Sequence, residues 1–445
     1  MNKKQLLLSL AFLAGNILSY PPFNLGYLAW ISFVPLFLLI ESGISVLFYF
    51  WLMLVFNLIY FLWLIKTNIP GWLLLSLFFA VGSLPGFWLM RHFLRKNWLF
   101  LLGLLLVGFE YIRVLTDYAL PFQIIGYTQW NVYPVLQLAA LGGVWLVSFF
   151  VYSCNLILFS VLKLQRLRWF WLLMLIVLIV LANVWRQPKS DSERTIRVAL
   201  IQTNLRLDQV GDDDNLFWDI YTRACLEAAK ENPDLYIWPE VALHKSLRED
   251  RESARRLRDL LRQLDAGIIL GNRDAHSFDL RFHNNYNAMF YIDKHGVVQG
   301  MHYKQKLIPF METANQDLAM LPYFIRNRFQ AGIYRKGKER NLLQISPDLR
   351  VAGIICFEAV DGRYVADFIR QNPVFIVNVS SDGWSRALTE HELNFYFNIF
   401  RAVESRRYLV RVAETGISAV ISPHGDILAM QPAFTSGNVI WDIPY

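Results

Sequence analysis

The sequence is poor in cysteine: its 445 residues include only Cys154, Cys225 and Cys356, and no two of them form a Cys-x-x-Cys pair. This pattern matches neither a paired disulfide framework nor the ligand spacing of a cysteine zinc site. We therefore expect no disulfide, no metal and no cofactor. Cys154 lies in an apolar run and Cys225 on a predicted amphipathic helix, so both are interpreted as packing residues.

Acidic residues are scarce in residues 1–186, which contain three of the 36 Asp and Glu and eleven of the 43 Lys and Arg. The formal net charge of +7 therefore arises in this apolar part. Its basic residues stand at the ends of apolar segments and form no patch suited to nucleic acid, so we expect no nucleic-acid partner. This composition predicts a membrane domain over 1–186, a polar linker over 187–194 and a soluble domain over 195–445.

Long apolar runs dominate the predicted membrane domain. A helix that crosses a bilayer needs about 20 apolar residues. Three runs of that length carry no charge, and three more are shorter or contain a charge but are too apolar for a soluble surface. The first run follows Lys3 and Lys4 without the cleavage site of a signal peptide, so it is interpreted as a helix. About seven transmembrane helices are predicted, over 6–20, 25–40, 46–65, 71–90, 98–115, 135–162 and 169–185.

The distribution of basic residues predicts the orientation of these helices, because loops rich in Lys and Arg stay in the cytoplasm. With a cytoplasmic N-terminus, the opposite loops carry little beyond Lys66. An odd number of helices then delivers residues 195–445 to the outer side. The basic residues assigned to the cytoplasmic side are Lys3, Lys4, Arg91, Arg95, Lys96, Lys163, Arg166 and Arg168.

Two charged residues lie inside the fifth predicted span. Glu110 and Arg113 are three residues apart, so they share one helical face near its outer end. A charge in hydrocarbon is costly unless it is paired. One interpretation is a mutual ion pair, and the other is a site for a lipid headgroup or a docking partner.

Residues 195–445 alternate short apolar runs with amphipathic stretches, a pattern typical of a layered α/β domain. The predicted helices cover 215–231, 251–264 and 392–407. The predicted buried strands cover 196–202, 235–238, 267–270, 351–355 and 374–379, and a further strand precedes Lys304.

Three chemically reactive residues stand at or just beyond strand ends, where sites gather in α/β sheets. A thiol such as Cys356 needs a base to become a nucleophile, and Glu240 could supply it. The ammonium of Lys304 could stabilise the oxyanion that forms during attack on an ester or amide. Each also has an ordinary interpretation: Glu240 as a helix cap, Lys304 as a surface lysine, and Cys356 as a small core residue.

The order of motifs resembles the carbon–nitrogen hydrolase (nitrilase) superfamily. The motifs that carry this resemblance are Trp238-Pro-Glu240, Lys304 with Leu307-Ile-Pro-Phe310 and Glu312, Cys356-Phe-Glu358, and Asn378-Val-Ser-Ser-Asp-Gly-Trp384. The apolar part resembles the apolipoprotein N-acyltransferase family. The segments that carry this second resemblance are Tyr20-Pro-Pro-Phe-Asn24, Phe109-Glu-Tyr-Ile-Arg113, Gly126-Tyr-Thr-Gln129 and 141–149.

These resemblances imply a multi-span α-helical membrane domain followed by an αββα sandwich. They imply N-acylation of the N-terminal S-diacylglyceryl-cysteine of apolipoproteins, with a phospholipid as acyl donor and a cysteine thioester as intermediate. The implied location is the bacterial inner membrane with the catalytic domain on the periplasmic side, and we expect a monomer. The implied residues are Glu240 as general base, Lys304 as oxyanion stabiliser, Cys356 as nucleophile, and Glu312, Phe357 and Glu358 as supporting residues. The candidates for substrate or lipid binding are Glu110, Arg113, Trp238 and Trp384.

The chain departs from the usual pattern of these families. Met311 stands where glycine is usual, Lys306 where histidine is, Phe357 where tyrosine is frequent, and Glu414 where asparagine is usual. No counterpart of the family's last transmembrane helix precedes Tyr445, so we expect a divergent member.

Two alternative functions stay open. The first is a membrane-tethered amidase or nitrilase that transfers the acyl group to water or to another amine. The second is a transporter or sensor whose outer domain binds without reacting.

Overall fold

The structure is a computed structural model. It describes residues 2–115, 120–163, 169–184, 194–205, 214–243, 245–275, 285–309, 312 and 334–445. Met311, Arg166, Arg168 and linker residues 187–193 lie outside the described residues. The described chain forms two compact units. The first contains the residues up to 184 together with Ser385–Tyr396, and the second contains 194–384 and 397–445.

The first unit is helical. Its 3-10 turns are Gly26–Trp30, Leu62–Lys66 and Ile125–Gln129. Its α-helices are α1 Lys3–Ser19, α2 Val34–Glu41, α3 Val46–Tyr60, α4 Ile69–Gly82, α5 Leu84–Lys96, α6 Leu99–Ile112, α7 Tyr133–Leu136, α8 Ala139–Leu162 and α9 Trp169–Val184.

By length and composition, two helical stretches among the described residues are able to cross a membrane, Ile69–Lys96 and Ala139–Leu162. The shorter apolar helices have 10–17 residues, and they are Gly26–Glu41, Val46–Tyr60, Leu99–Ile112 and Trp171–Val184. The number of seven spans therefore stays a prediction.

Helix breaks shorten the predicted spans. The segment predicted over 25–40 divides into a 3-10 turn and α2, which has a proline in its first turn. Proline is accepted there because the first N–H groups of a helix have no partner within the helix. Inside α8, Gly143 has φ +65°, and this left-handed conformation kinks the helix.

Asn155 of α8 satisfies backbone groups at the break before α2. Its Nδ2 donates to the Ala29 carbonyl at 2.7 Å, and its Oδ1 accepts from the Phe33 N–H at 2.8 Å. An irregular backbone among apolar helices needs such partners, because an unsatisfied polar group there costs several kcal/mol, on the order of 2–7.

The second unit contains two six-stranded sheets. Their strand orders are β12-β1-β2-β3-β4-β5 and β11-β10-β9-β8-β7-β6. In each sheet three neighbouring strands are parallel, β1 to β3 and β7 to β9, and the outer strands are antiparallel. The strands are β1 Thr195–Gln202, β2 Leu235–Ile237, β3 Gly267–Ala275, β4 Asn285–Ile292, β5 Val298–Tyr303, β6 Leu343–Ser346, β7 Leu349–Ile355, β8 Phe375–Ser380, β9 Tyr408–Ala413, β10 Ser418–Ile421, β11 Ile427–Gln431 and β12 Gly437–Pro444.

The two sheets pack face to face through alternate apolar residues. Val198 and Leu200 of β1 share one buried cluster with Val351, Val377 and Val410 of the second sheet. The other face of the first sheet packs against α10 (Asp214–Ala228) and α11 (Arg251–Leu264). On the second sheet, α12 (Gly362–Ile369) packs beside β7, and α13 (Leu388–Ser405) follows in the chain.

The predicted elements of this unit are confirmed within a few residues. The helix predicted over 251–264 is α11, and the strand predicted over 196–202 is β1 with one more residue. The predicted strands do not include β4, β6, β9, β10, β11 and β12. A helical part and a part with two packed mixed sheets agree with the predicted fold class.

Candidate active site

The three reactive residues follow strands of both sheets. Glu240 lies three residues beyond β2, Lys304 immediately follows β5, and Cys356 immediately follows β7. The Lys304 Nζ lies 3.0 Å from Glu240 Oε1. The charges of both residues act on the Cys356 thiol. The sandwich therefore brings a carboxylate, an ammonium and a thiol into one cluster.

Lys304 is fully buried between two carboxylates. Its Nζ lies 3.0 Å from Glu240 Oε1 and 2.8 Å from Glu312 Oε1. Burial by itself favours the neutral amine, but the two carboxylates hold the pKa of Lys304 well above its usual value. The two carboxylates thus favour the ammonium form of Lys304.

Both carboxylate oxygens of Glu240 are held by donors. Oε1 accepts from Asn287 Nδ2 at 2.6 Å as well as from Lys304, and Oε2 accepts from the Ser381 N–H at 3.0 Å. Asn287 was missed by sequence reasoning. Its only signal was a polar residue in a strand that otherwise reads as buried.

Glu312 is the second acidic partner of Lys304. Its Oε2 accepts from the Ile308 N–H at 2.7 Å. Burial raises the pKa of Glu312, and Lys304 opposes that shift. The structure therefore places this predicted supporting residue directly against the ammonium.

Cys356 stands at a sharp turn. Its φ is +48°, in the left-handed region that few non-glycine residues adopt, and it opens the 3-10 helix Cys356–Val360. Burial and the Glu240 charge raise the pKa of the thiol, while Lys304 lowers it. These effects together favour the protonated thiol, and a protonated thiol needs a base before it can attack.

Glu358 binds the backbone next to two of the reactive residues. Its carboxylate accepts from the N–H groups of Gln305 at 2.6 Å and Ile355 at 2.8 Å, and its Oε2 lies 3.0 Å from His302 Nε2. Burial opposes its ionisation, but His302 and these N–H groups lower the pKa of Glu358. It thereby ties the residue after Lys304 to the residue before Cys356.

The remaining candidates lie in different surroundings. Phe357 follows Cys356 and is half-buried. Trp384, in the segment after β8, is also half-buried. Trp238 is fully buried under α10, with its ring centroid 4.4 Å from that of Tyr221 and its Nε1 3.3 Å from Cys225 Sγ. Trp238 is thus a core residue.

The ion pair expected between Glu110 and Arg113 is not formed in the described helical unit. Glu110 Oε1 instead accepts from the Ile125 N–H and the Tyr152 hydroxyl, both at 2.9 Å. The Arg113 guanidinium donates to the Gln123 carbonyl at 3.3 Å. Backbone and hydroxyl groups from outside α6 bind Glu110. Its position on the same helical face as Arg113 therefore does not make Arg113 its hydrogen-bond partner.

Glu414 follows β9 and is buried without a basic partner among the described residues. Its Oε1 accepts from the Leu205 N–H at 2.7 Å, and its carboxylate accepts from the hydroxyls of Thr203 and Tyr221. Burial raises the pKa of Glu414, and these donors oppose the shift. The unusual acid is therefore accommodated by neutral donors.

Two packed mixed sheets with a thiol, a carboxylate and an ammonium at their strand ends define an α/β enzyme of the nitrilase type. The chain belongs to the carbon–nitrogen hydrolase family, whose model matches residues 197–445. Residues 14–157 match a second model, described as the apolipoprotein N-acyltransferase N-terminal domain. The two matches divide the chain near the predicted linker.

Curated relatives cover most of the chain. An apolipoprotein N-acyltransferase of Geobacter metallireducens is 28% identical over 96% of this chain and 87% of its own length. Apolipoprotein N-acyltransferase 1 of Treponema pallidum is 27% identical over 83% of this chain and 74% of its own. A solved amidase from Nesterenkonia sp. is similar with a TM-score of 0.43 and 16% identity, over 58% of this chain and 94% of its own.

Proposed function

We propose that the protein transfers an acyl chain from a phospholipid to the N-terminal amine of a diacylglyceryl-apolipoprotein, through a thioester on Cys356. One observation carries the proposal: a single chain joins the helical region of apolipoprotein N-acyltransferases to a carbon–nitrogen hydrolase domain. The names of the relatives support the same reaction. The geometry around Lys304 supports acyl transfer chemistry.

In the first half-reaction, Cys356 Sγ attacks the carbonyl carbon of a phospholipid ester. Its proton passes to the Glu240 carboxylate, and the carbonyl oxygen becomes an oxyanion beside the Lys304 ammonium. The ester C–O bond then breaks. The leaving lysophospholipid oxygen takes the proton from Glu240, and the acyl group remains on Cys356 as a thioester.

In the second half-reaction, the α-amine of the lipoprotein cysteine attacks the thioester carbonyl. Glu240 accepts a proton from the nitrogen, and Lys304 again stabilises the oxyanion. When the C–S bond breaks, the proton returns from Glu240 to the sulfur. The product is an amide, and the resting thiol is restored.

Both substrates would be held in a bilayer, and the surface of the helical unit is suited to contact with a bilayer. Many of its large apolar side chains are exposed, including Leu47, Leu74 and Trp169. Such surface is suited to hydrocarbon. We accordingly propose about seven spans over 1–186 in a bacterial inner membrane, with residues 195–445 periplasmic, joined by the 187–194 linker, in a monomeric protein.

Arg113 is the preferred candidate among the predicted lipid-binding residues. Its side chain is half-buried, and a guanidinium can bind a phosphate through two N–H groups. Trp384 is half-buried, whereas Glu110 and Trp238 are buried and bonded elsewhere. Arg113→Ala should raise the KM for phospholipid about tenfold with little change in kcat, whereas Trp238→Phe should leave that KM unchanged.

The proposal is tested by mass spectrometry of lipoprotein N-termini in a strain that lacks its own apolipoprotein N-acyltransferase. Expression of this protein should convert free N-terminal amines to amides, and Cys356→Ser should not. Free amines that persist with the wild-type protein would refute N-acylation. Fatty acid released to water at the same time would indicate the hydrolase alternative.

A second measurement addresses the thioester. Purified protein incubated with phospholipid should gain the mass of one acyl chain, and hydroxylamine should remove it. Cys356→Ala should show no such mass, whereas Cys225→Ala should retain it. Full N-acylation by Cys356→Ala would exclude this mechanism. Absence of both the acyl-enzyme and N-acylation in the wild-type protein would favour a binding or transport function.

A further inference from the structure

A polar side chain of the neighbouring strand adjoins Cys356. β7 and β8 are parallel, and Ile355 pairs with Val379, so Ser380 at the end of β8 lies beside Cys356. The Ser380 hydroxyl lowers the pKa of the Cys356 thiol, and it donates to Asp382 Oδ1 at 2.6 Å. A hydroxyl beside the thiol is therefore bonded to a buried carboxylate.

That carboxylate is paired with a buried arginine. Arg411 Nη2 donates to Asp382 Oδ2 at 2.5 Å, and the two side chains are 0–1% exposed. Arg411 also donates to Asn378 Oδ1 at 2.6 Å and to the Ile417 carbonyl at 3.1 Å. A buried ion pair is tolerated only with such additional bonds.

Gly416 makes room for this pair. A Cβ atom at Gly416 would lie 2.0 Å from Asp382 Oδ2, closer than any contact allows. Asp382 itself has φ +53°, another left-handed conformation. The pair with Arg411, the absence of a side chain at Gly416 and the backbone conformation of Asp382 thus all favour the same position of the Asp382 carboxylate.

The backbone around Asp382 also contacts the general base. The Ser381 N–H donates to Glu240 Oε2 at 3.0 Å, and the Ser380 carbonyl accepts from the Glu240 N–H at 3.4 Å. The short segment 380–382 therefore touches both the thiol and the carboxylate that would deprotonate it.

We propose that Asp382 and Arg411 are positioning residues, a charge-balanced buried pair that holds Ser380 and Ser381 against Cys356 and Glu240 and sets the protonation of the thiol. This inference rests on the proposed role of Cys356 as nucleophile. The hydroxyl of Ser380 has one proton. It points to Asp382 while the sulfur is protonated, and it can turn to the sulfur when Glu240 removes the thiol proton.

Each charge near Cys356 shifts the pKa of the thiol in a direction that can be measured. The charged groups that face Cys356 are Glu240 and Asp382, which raise the thiol pKa, and Lys304, which lowers it. Glu312 is paired with Lys304, and Glu358 with His302. Loss of the Asp382 charge would leave Arg411 unbalanced and favour the thiolate. Loss of the Arg411 charge would leave Asp382 unbalanced and favour the thiol.

The test is the pH dependence of Cys356 alkylation by iodoacetamide in the full-length protein in detergent. Peptide mass spectrometry separates Cys356 from Cys154 and Cys225. Asp382→Asn should move the midpoint down by about one pH unit, and Arg411→Gln should move it up by about one. The double variant should return to within about 0.3 of wild type, and Arg411→Lys should shift it little.

A matched control is Asp442→Asn, which breaks the Arg197–Asp442 pair between β1 and β12, 2.8 Å apart. It should leave the alkylation midpoint unchanged. Shifts of the two single variants in one direction, or no larger than that of the control, would overturn the proposal, because structural damage would expose the thiol and lower its pKa in both variants.

Should a charge variant fail to fold, Ser380→Ala provides a second test. It leaves the pair intact and removes only the hydroxyl, so the midpoint should rise; an unchanged midpoint would overturn the link to Cys356. Alkylation needs no acyl substrate. If Cys356→Ser still acylated lipoproteins, the proposed function would fail, while these midpoints would still decide whether the pair controls the thiol.

Discussion

The Lys304 ammonium lies 3.0 Å from Glu240 Oε1 while it also contacts Glu312 at 2.8 Å. One cation therefore lies between two buried carboxylates. It holds the Glu240 carboxylate in place through a direct contact. The same cation lowers the pKa of Cys356 and is the proposed stabiliser of the oxyanion. Stability and proposed catalysis thus depend on the same atom.

Replacement of Lys304 by methionine should abolish acyl transfer and destabilise the second unit. Two carboxylates would then share a buried site without a cation, and breaking such a pair costs about 3–5 kcal/mol. The measurements are acyl-enzyme formation and thermal unfolding in detergent. Lys294→Met, which breaks a partly exposed pair with Asp265, is the control and should change neither by much. A stable, active Lys304→Met protein would contradict the predicted role.

Glu240→Gln separates proton transfer from structure. Glutamine can still accept from the Ser381 N–H, but it cannot take the thiol proton. The acyl transfer rate should fall by about 10²–10⁴, the usual contribution of a general base. Thermal unfolding should change far less than for Lys304→Met, because Lys304 keeps Glu312. A rate within a factor of about three of wild type would exclude Glu240 as the base.

Cys225 should be chemically inert although it is a free thiol. Burial raises its pKa to about 12, and the Trp238 ring covers it. Iodoacetamide at pH 8 should therefore label Cys356 well before Cys225, as resolved by peptide mass spectrometry. Cys225→Ala should lower stability by about 1–2 kcal/mol and leave turnover unchanged. Faster labelling of Cys225 would show that this part of the core is open.

Glu414 should make stability depend on pH. Because burial raises its pKa in the folded protein, the folded state binds this proton more tightly than the unfolded state. Its contribution is therefore largest below the ordinary carboxyl pKa, and it declines as pH rises through the raised folded value. As the pH rises from about 4.5 to neutrality, the free energy of unfolding of the wild-type protein should fall relative to that of Glu414→Gln.

The measurement for Glu414 is the difference in melting temperature between the two proteins across that pH range, because other titrating groups then cancel. Glu414→Asn, the residue more usual in the resembled family, should behave like Glu414→Gln. A difference that stays constant with pH would show that the carboxyl does not change protonation there.

The local sequence pattern predicted the helices and strands around the site better than it predicted which side chains contact each other. The strand before Cys356 and the helix over 251–264 were predicted because the spacing of apolar residues along the sequence indicates which side chains are buried. The mutual ion pair, one of the two interpretations of Glu110 and Arg113, is not formed, because proximity on one helix does not exclude partners on other segments. The break in the segment over 25–40 was missed for a similar reason: Asn155 supplies the partners that let the helix stop.

The sequence by itself determined the contrast between an apolar part and a more polar part, six of the described strands, and the residue types at their ends. These follow from composition and periodicity, which act over a few residues. Only the tertiary structure decided that Asn287 and Ser381 hold Glu240, and that Asp382 and Arg411 adjoin the thiol. Ser381 and Glu240 are 141 residues apart in the chain. Their contact depends on sheet register and on the packing of two sheets, which no local pattern encodes.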